Sequence, residues 1–128
     1  MKKYLRLILL LISITTLLSG ALQGLAPAFV LGFVGAVIDT DSKQLFATIG
    51  MFMFLFGGMM IHALYNEDDN YIAVIWSGLQ KLGASVAVFI GIFNGVFIPV
   101  AAGVAIFDLL SALLFFYYLK TLKSDAFS

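Results

Sequence analysis

Two residues could do chemistry, and they sit where charge is least welcome. Lys81 and Asp108 both lie inside long apolar runs. Lys81 precedes the Asn94-Gly95 dipeptide by 13 residues, and Asp108 follows it by 13. On two antiparallel helices joined at that turn-prone dipeptide, a rise of 1.5 Å per residue carries both side chains about 20 Å from the turn, to the same depth. Opposite charges at equal depth on neighbouring helices predict an ion pair. A charged side chain at the centre of a spanning helix costs about 2.5–3.5 kcal/mol on insertion scales, so such residues face protein or water and are functional candidates by default. The chemistry open to the pair is proton or substrate handling; the alternative is a buried structural pair that fixes helix register.

The remaining polar candidates are weaker. Ser77, Gln80 and Ser85 share the stripe that carries Lys81, and Ser111 shares that of Asp108, at three- and four-residue spacing. Ala84, Val88, Ala101, Val104, Ala105 and Ala112 complete these two stripes, with small residues that allow close helix approach. Gln23 follows Ser13, Thr16 and Gly20 along the first apolar run and is expected to cap or bridge helices. His62 follows Gly50, Gly57 and Gly58 on the second and is counted with the polar lining, although it lies only about a turn from the cytoplasmic edge, where a lone histidine reads as an interfacial hydrogen-bonding residue. A lone imidazole without a second nitrogen, thiolate or nearby carboxylate makes no metal or haem site, so no metal or cofactor is expected. Glu67-Asp68-Asp69 reads as a solvated loop, since calcium needs a fuller oxygen array.

Composition explains what must position these residues. Of 128 residues, 62% are hydrophobic and 11% charged, against about 25% charged in soluble domains. A chain this short needs a polar shell to stay in water. The apolar residues instead come in runs of membrane-spanning length, about 20 residues for 30 Å of hydrocarbon. Four spans are predicted, at 5–23, 45–65, 71–93 and 96–119. The stretch 25–38 is too short to span and contains Pro27, Gly32 and Gly35; it reads as an interfacial or re-entrant segment. The expected fold is therefore all-α, an up-down four-helix membrane bundle forming a single domain over 1–128. Lys2, Lys3, Arg6, Lys120 and Lys123 then share one side, with Lys43 on the other. The positive-inside rule places both termini in the cytoplasm, in a cell membrane, specifically a bacterial inner membrane. Tyr4, Tyr65, Tyr71, Tyr117 and Tyr118 gather at the same edge, with Trp76 a little deeper, as an interfacial aromatic belt requires. Lys2-Lys3, the apolar run after them and Ser19-Gly20-Ala21 also fit a secretory signal, but the run is long for one and apolar sequence continues beyond it. A retained span is expected.

Several classes are excluded. Zero net charge gives no basic field for nucleic acid. Without cysteine there are no disulfides, thiolate metal sites or cysteine catalysis. The phosphate-cradling glycine loop, nucleophile elbow and HExxH motif are all missing, so an enzyme is not expected. Small multidrug transporters carry an essential acid in the first span, which this first span lacks. The glycine- and asparagine-rich second span and Phe-box third span of fluoride channels are not present, and likeness to holins ends at small size and a basic tail.

The order of features is a basic N-terminus, a first span with Ser and Thr, Gly24-Leu25-Ala26-Pro27, a glycine-bearing segment and three further spans. The last of these embeds an acid in Ile106-Phe107-Asp108-Leu109-Leu110. This layout resembles the small four-helix membrane proteins of the DoxX-like group, including BphX-like families. The resemblance covers nearly the whole chain but carries no sharp motif, so no site residue follows from it. It implies a four-helix bundle, often without an assigned enzymatic activity, and sometimes associated with redox or other membrane-protein complexes. Two functional expectations stand: a non-enzymatic structural or accessory component of a membrane assembly, or a small proton-coupled transporter or channel using Lys81–Asp108. The partners expected are the lipid bilayer and other membrane proteins or further copies of the chain.

Overall fold

A computed structural model describes residues 2–66 and 70–127, with side chains for 3–66 and 70–122. The Glu67–Asp69 run and the side chains of Lys2 and Lys123 lie outside the described residues. The fold is all-α: α1 (Lys2–Leu25), α2 (Pro27–Phe33), α3 (Thr40–Tyr65), α4 (Tyr71–Phe93) and α5 (Ala102–Phe127), with a 3-10 turn at Pro99–Ala101 leading into α5. Four segments are long and apolar enough to cross a membrane, Lys3–Leu25, Thr40–Tyr65, Tyr71–Phe93 and Pro99–Leu122. The chain is a multi-pass membrane protein.

Local chemistry sets the boundaries. α1 stops before Ala26 because the residue preceding proline is pushed out of the helical region; Ala26 has φ −134°. Pro27 opens α2, where its missing N–H costs nothing. α2 ends on Gly35 at φ +72°, with Gly35 N–H donating to Gly32 O and Ala36 N–H to Leu31 O, the paired bonds of a left-handed glycine cap. α4 ends the same way, on Gly95 at φ +78°, with donations to Ile92 O and Gly91 O. The Asn94-Gly95 dipeptide therefore terminates a helix instead of forming a tight hairpin. The connection runs on to Ile98, and the fourth span starts at Pro99, not Val96. The second span likewise begins at Thr40, not Leu45, because the Asp39 carboxylate caps it by accepting from Ser42 N–H at 2.7 Å. Asn70 caps α4 through Ala73 N–H.

α1 packs chiefly on α3, and α4 on α5; α1–α5 and α3–α4 contacts close the ring. α1 and α4 thus stand diagonally across the bundle. The α1–α3 seam is backbone against backbone. A Cβ on Gly57 would lie 2.6 Å from Leu17 N, and one on Gly50 2.6 Å from Gly24 N. Only glycine permits that approach.

The bundle is layered. At the end holding the chain termini (the tail end), Leu5, Leu9, Ile12, Met60, Leu64, Val74, Phe115, Tyr118 and Leu122 form a buried apolar cluster joining all four long helices. Polar residues occupy the middle. At the opposite, cap end, Leu31 and Val34 turn inward while Phe29 and Phe33 stay exposed. Ile98 N–H donates to Val34 O at 2.8 Å, tying the two cap loops together. α2 is thus a half-buried lid. The aromatic belt is partly as expected: Tyr4, Tyr65, Tyr117 and Trp76 are exposed, whereas Tyr118 is buried in the apolar cluster.

Candidate functional site

Lys81 and Asp108 meet in the middle layer. Lys81 Nζ is 3.4 Å from Asp108 Oδ1, and the two residues are 5% and 8% exposed. The equal-depth argument therefore holds, although the connection between the helices is longer than a two-residue turn. The extra residues fall between Gly95 and Pro99, outside both helices.

The ammonium also reaches a third helix. It donates a short hydrogen bond to Thr16 Oγ1 on α1, the helix diagonal to its own. The Thr16 hydroxyl in turn donates to Ile12 O at 2.9 Å, so its oxygen is left to accept. Lys81 thereby links α4, α5 and α1 through one flexible stem. Phe107, beside Asp108, places its ring centroid 5.5 Å from the ammonium, within cation–π range. Helical spacing grouped Thr16 with the polar side of the first helix but did not bring it to Lys81. The available signal was Thr16's place between Ser13 and Gly20 on one helical face.

The other polar candidates divide. Ser77, Ser85 and Ser111 are buried, on the inner faces assigned to them. Ser111 donates to Phe107 O, but the Ser77 hydroxyl is buried with no partner among the described residues. Gln23 is buried and bridges helices, donating from Nε2 to Phe46 O on α3 at 3.0 Å. Gln80 is partly exposed on the flank of α4. His62 does not line the interior: it is exposed, in a groove of about 480 Å³ between α3 and α4 near the tail end, with Phe56, Met59, Asn66, Asn70 and Trp76. The glycine stripe of α3 faces α1, and His62, past the last of those glycines, has rotated off it. Val104, expected on the inner stripe of α5, is exposed.

This arrangement can hold charge, and among the described residues apolar side chains flank it on both sides. The apolar cluster closes the tail end of the polar layer. Ala101, Ala105 and Leu31, each 2% exposed or less, close the cap end. The α3–α4 groove does not include Lys81 or Asp108 among its walls. No group of three His, Cys, Asp or Glu that could bind a metal occurs among the described residues. No family model, curated protein or solved structure matches the chain.

Proposed function

We propose that the chain is a non-enzymatic, DoxX-like membrane bundle serving as a structural or accessory component of a larger membrane assembly. In it, Lys81, Asp108 and Thr16 act as an interhelical pin. The observation that carries this reading is the closure of the polar layer on both sides, with Lys81 and Asp108 at 5% and 8% exposure. A pair buried between apolar layers fixes register between helices that lipid would otherwise let slide. The basic residues at the tail end favour a cytoplasmic placement of both termini, and a bacterial inner membrane is the proposed location. The test is proton and solute flux in proteoliposomes. Flux no greater than in empty liposomes, and unchanged by Asp108→Asn, is the expected result; flux abolished by Asp108→Asn contradicts it.

A second reading, a small proton-coupled transporter using the same pair, draws support from Ser77. Its hydroxyl lies one helical turn from Lys81 and is buried without a partner among the described residues, a group that a transported species or a water could engage. The same flux measurement with Ser77→Ala separates the two readings.

A further inference from the structure

The lipid-facing side of α4 carries a polar group that no other described residue satisfies. Gln80 is the tenth of the 23 residues of α4, beside Lys81, and so lies deep in the hydrocarbon. It is partly exposed, and no other described residue hydrogen-bonds to it. An amide has two donors and an acceptor, and hydrocarbon offers partners for none of them. Every other buried or partly buried hydroxyl or amide of the middle layer except Ser77 and Ser85 bonds its own helix or a neighbour.

A second, independent observation lies on the same face. Gly83 and Ala87 follow Gln80 at helical spacing, and both are exposed. The bundle's other small residues show what such positions are for: Gly50 and Gly57 are filled by the backbone of α1. A Cβ placed on Gly83 meets nothing within 4 Å. Gly83 has the geometry of a close-approach position with no described helix of its own chain against it.

We propose that α4 pairs with α4 of a second copy of this chain, with Gln80, Gly83 and Ala87 at the crossing. Copies inserted in one membrane share an orientation, so a two-fold axis runs along the membrane normal. Each residue then meets its own counterpart at its own depth. Gln80 meets Gln80, and the two amides satisfy each other as donor and acceptor. Gly83 and Ala87 let the backbones come close enough for those short side chains to touch. Self-complementarity singles out the second copy: an acyl chain cannot bond the amide, whereas an identical amide at the same depth offers it both a donor and an acceptor. The inference is independent of whether the Lys81 cluster pins or transports.

The test uses the full chain in liposomes, where the absence of native cysteine allows single-cysteine variants without background. Ala87→Cys is expected to cross-link under mild oxidation. Gly103→Cys, an equally open glycine on α5, is expected not to. Energy transfer between copies labelled at Lys43→Cys is expected to rise with protein-to-lipid ratio. Gln80→Leu should weaken that association about three- to tenfold, and Gly83→Ile should abolish it, with the detergent unfolding transition unchanged in both. Gln80→Asn should retain most of it. Equal cross-linking at Ala87 and Gly103, energy transfer no greater than random proximity, or association indifferent to both α4 substitutions overturns the proposal.

Discussion

Replacing Lys81 alone should harm the bundle more than replacing Lys81 and Asp108 together. At 3.4 Å, the attraction between unit charges is roughly 5 kcal/mol at an effective dielectric of about 20. Most of that offsets the cost of taking both ions out of water, so the pair is worth far less than its Coulomb energy. Lys81→Met removes the attraction and leaves the Asp108 carboxylate buried at 8% exposure with its cation gone, a loss of about 3–5 kcal/mol. Lys81→Met with Asp108→Leu leaves no charge behind. The Thr16 hydroxyl still donates to Ile12 O, so the double variant creates no orphan there, and it should fall within about 1 kcal/mol of the parent. The coupling between the two sites should then sit at or above the upper end of the about 0.5–3 kcal/mol found for residues in contact. The assay is unfolding of the purified chain in mixed micelles by increasing fractions of denaturing detergent, read from the fluorescence of Trp76, the single tryptophan. Additive losses, or a neutral Lys81→Met, would refute the reasoning.

Three further outcomes are expected. Thr16→Val should cost about 1.5–3 kcal/mol in the same assay, the range for a hydrogen bond to a charged group. Thr16→Ser should be mild, and Thr15→Val on the exposed side close to neutral. Gly57→Val should destabilise the α1–α3 seam by about 1–3 kcal/mol or prevent insertion of a folded chain, whereas Gly83→Ala, with open space around its Cβ, should leave monomer stability unchanged. Donation from the Ser42 backbone N–H holds the Asp39 carboxyl below its ordinary range. A depressed carboxyl stabilises the folded form above its unfolded value and loses that contribution as pH falls through the folded one. Asp39→Ala should therefore lower the unfolding midpoint at neutral pH, and the gap to the parent should close progressively below pH of about 3.9.

How far the sequence could be read depended on whether a feature was local. The spans and the Pro27 break follow from residues adjacent in the chain, and each appears close to its expected place. The boundaries moved where a cap was overlooked: Asp39 extends α3 by five residues relative to a start at Leu45. The Lys81–Asp108 pair was legible because one short connection fixes the depth of both helices. Thr16 was not, because no sequence spacing relates α1 to α4. Which helix stands diagonal to which is decided by the glycine packing of α1 on α3, and that brings Thr16 within reach of a long lysine stem. His62 sits near the tail-end edge, as its place in the chain indicates, but not on the polar lining. The glycines mark the side of α3 that faces α1, and His62 is not in phase with Gly50 and Gly57.

The claim on which the account rests is that the polar layer is sealed from water at both ends. Single cysteines at Ser85 and Ser111, each 2% exposed, test it directly in a chain that has no native cysteine. In intact proteoliposomes of either orientation, both should resist a membrane-impermeant thiol reagent while Lys43→Cys reacts readily. Rapid labelling of Ser85→Cys or Ser111→Cys from either face would mean that water reaches Lys81 and Asp108, and the pin would give way to a pathway.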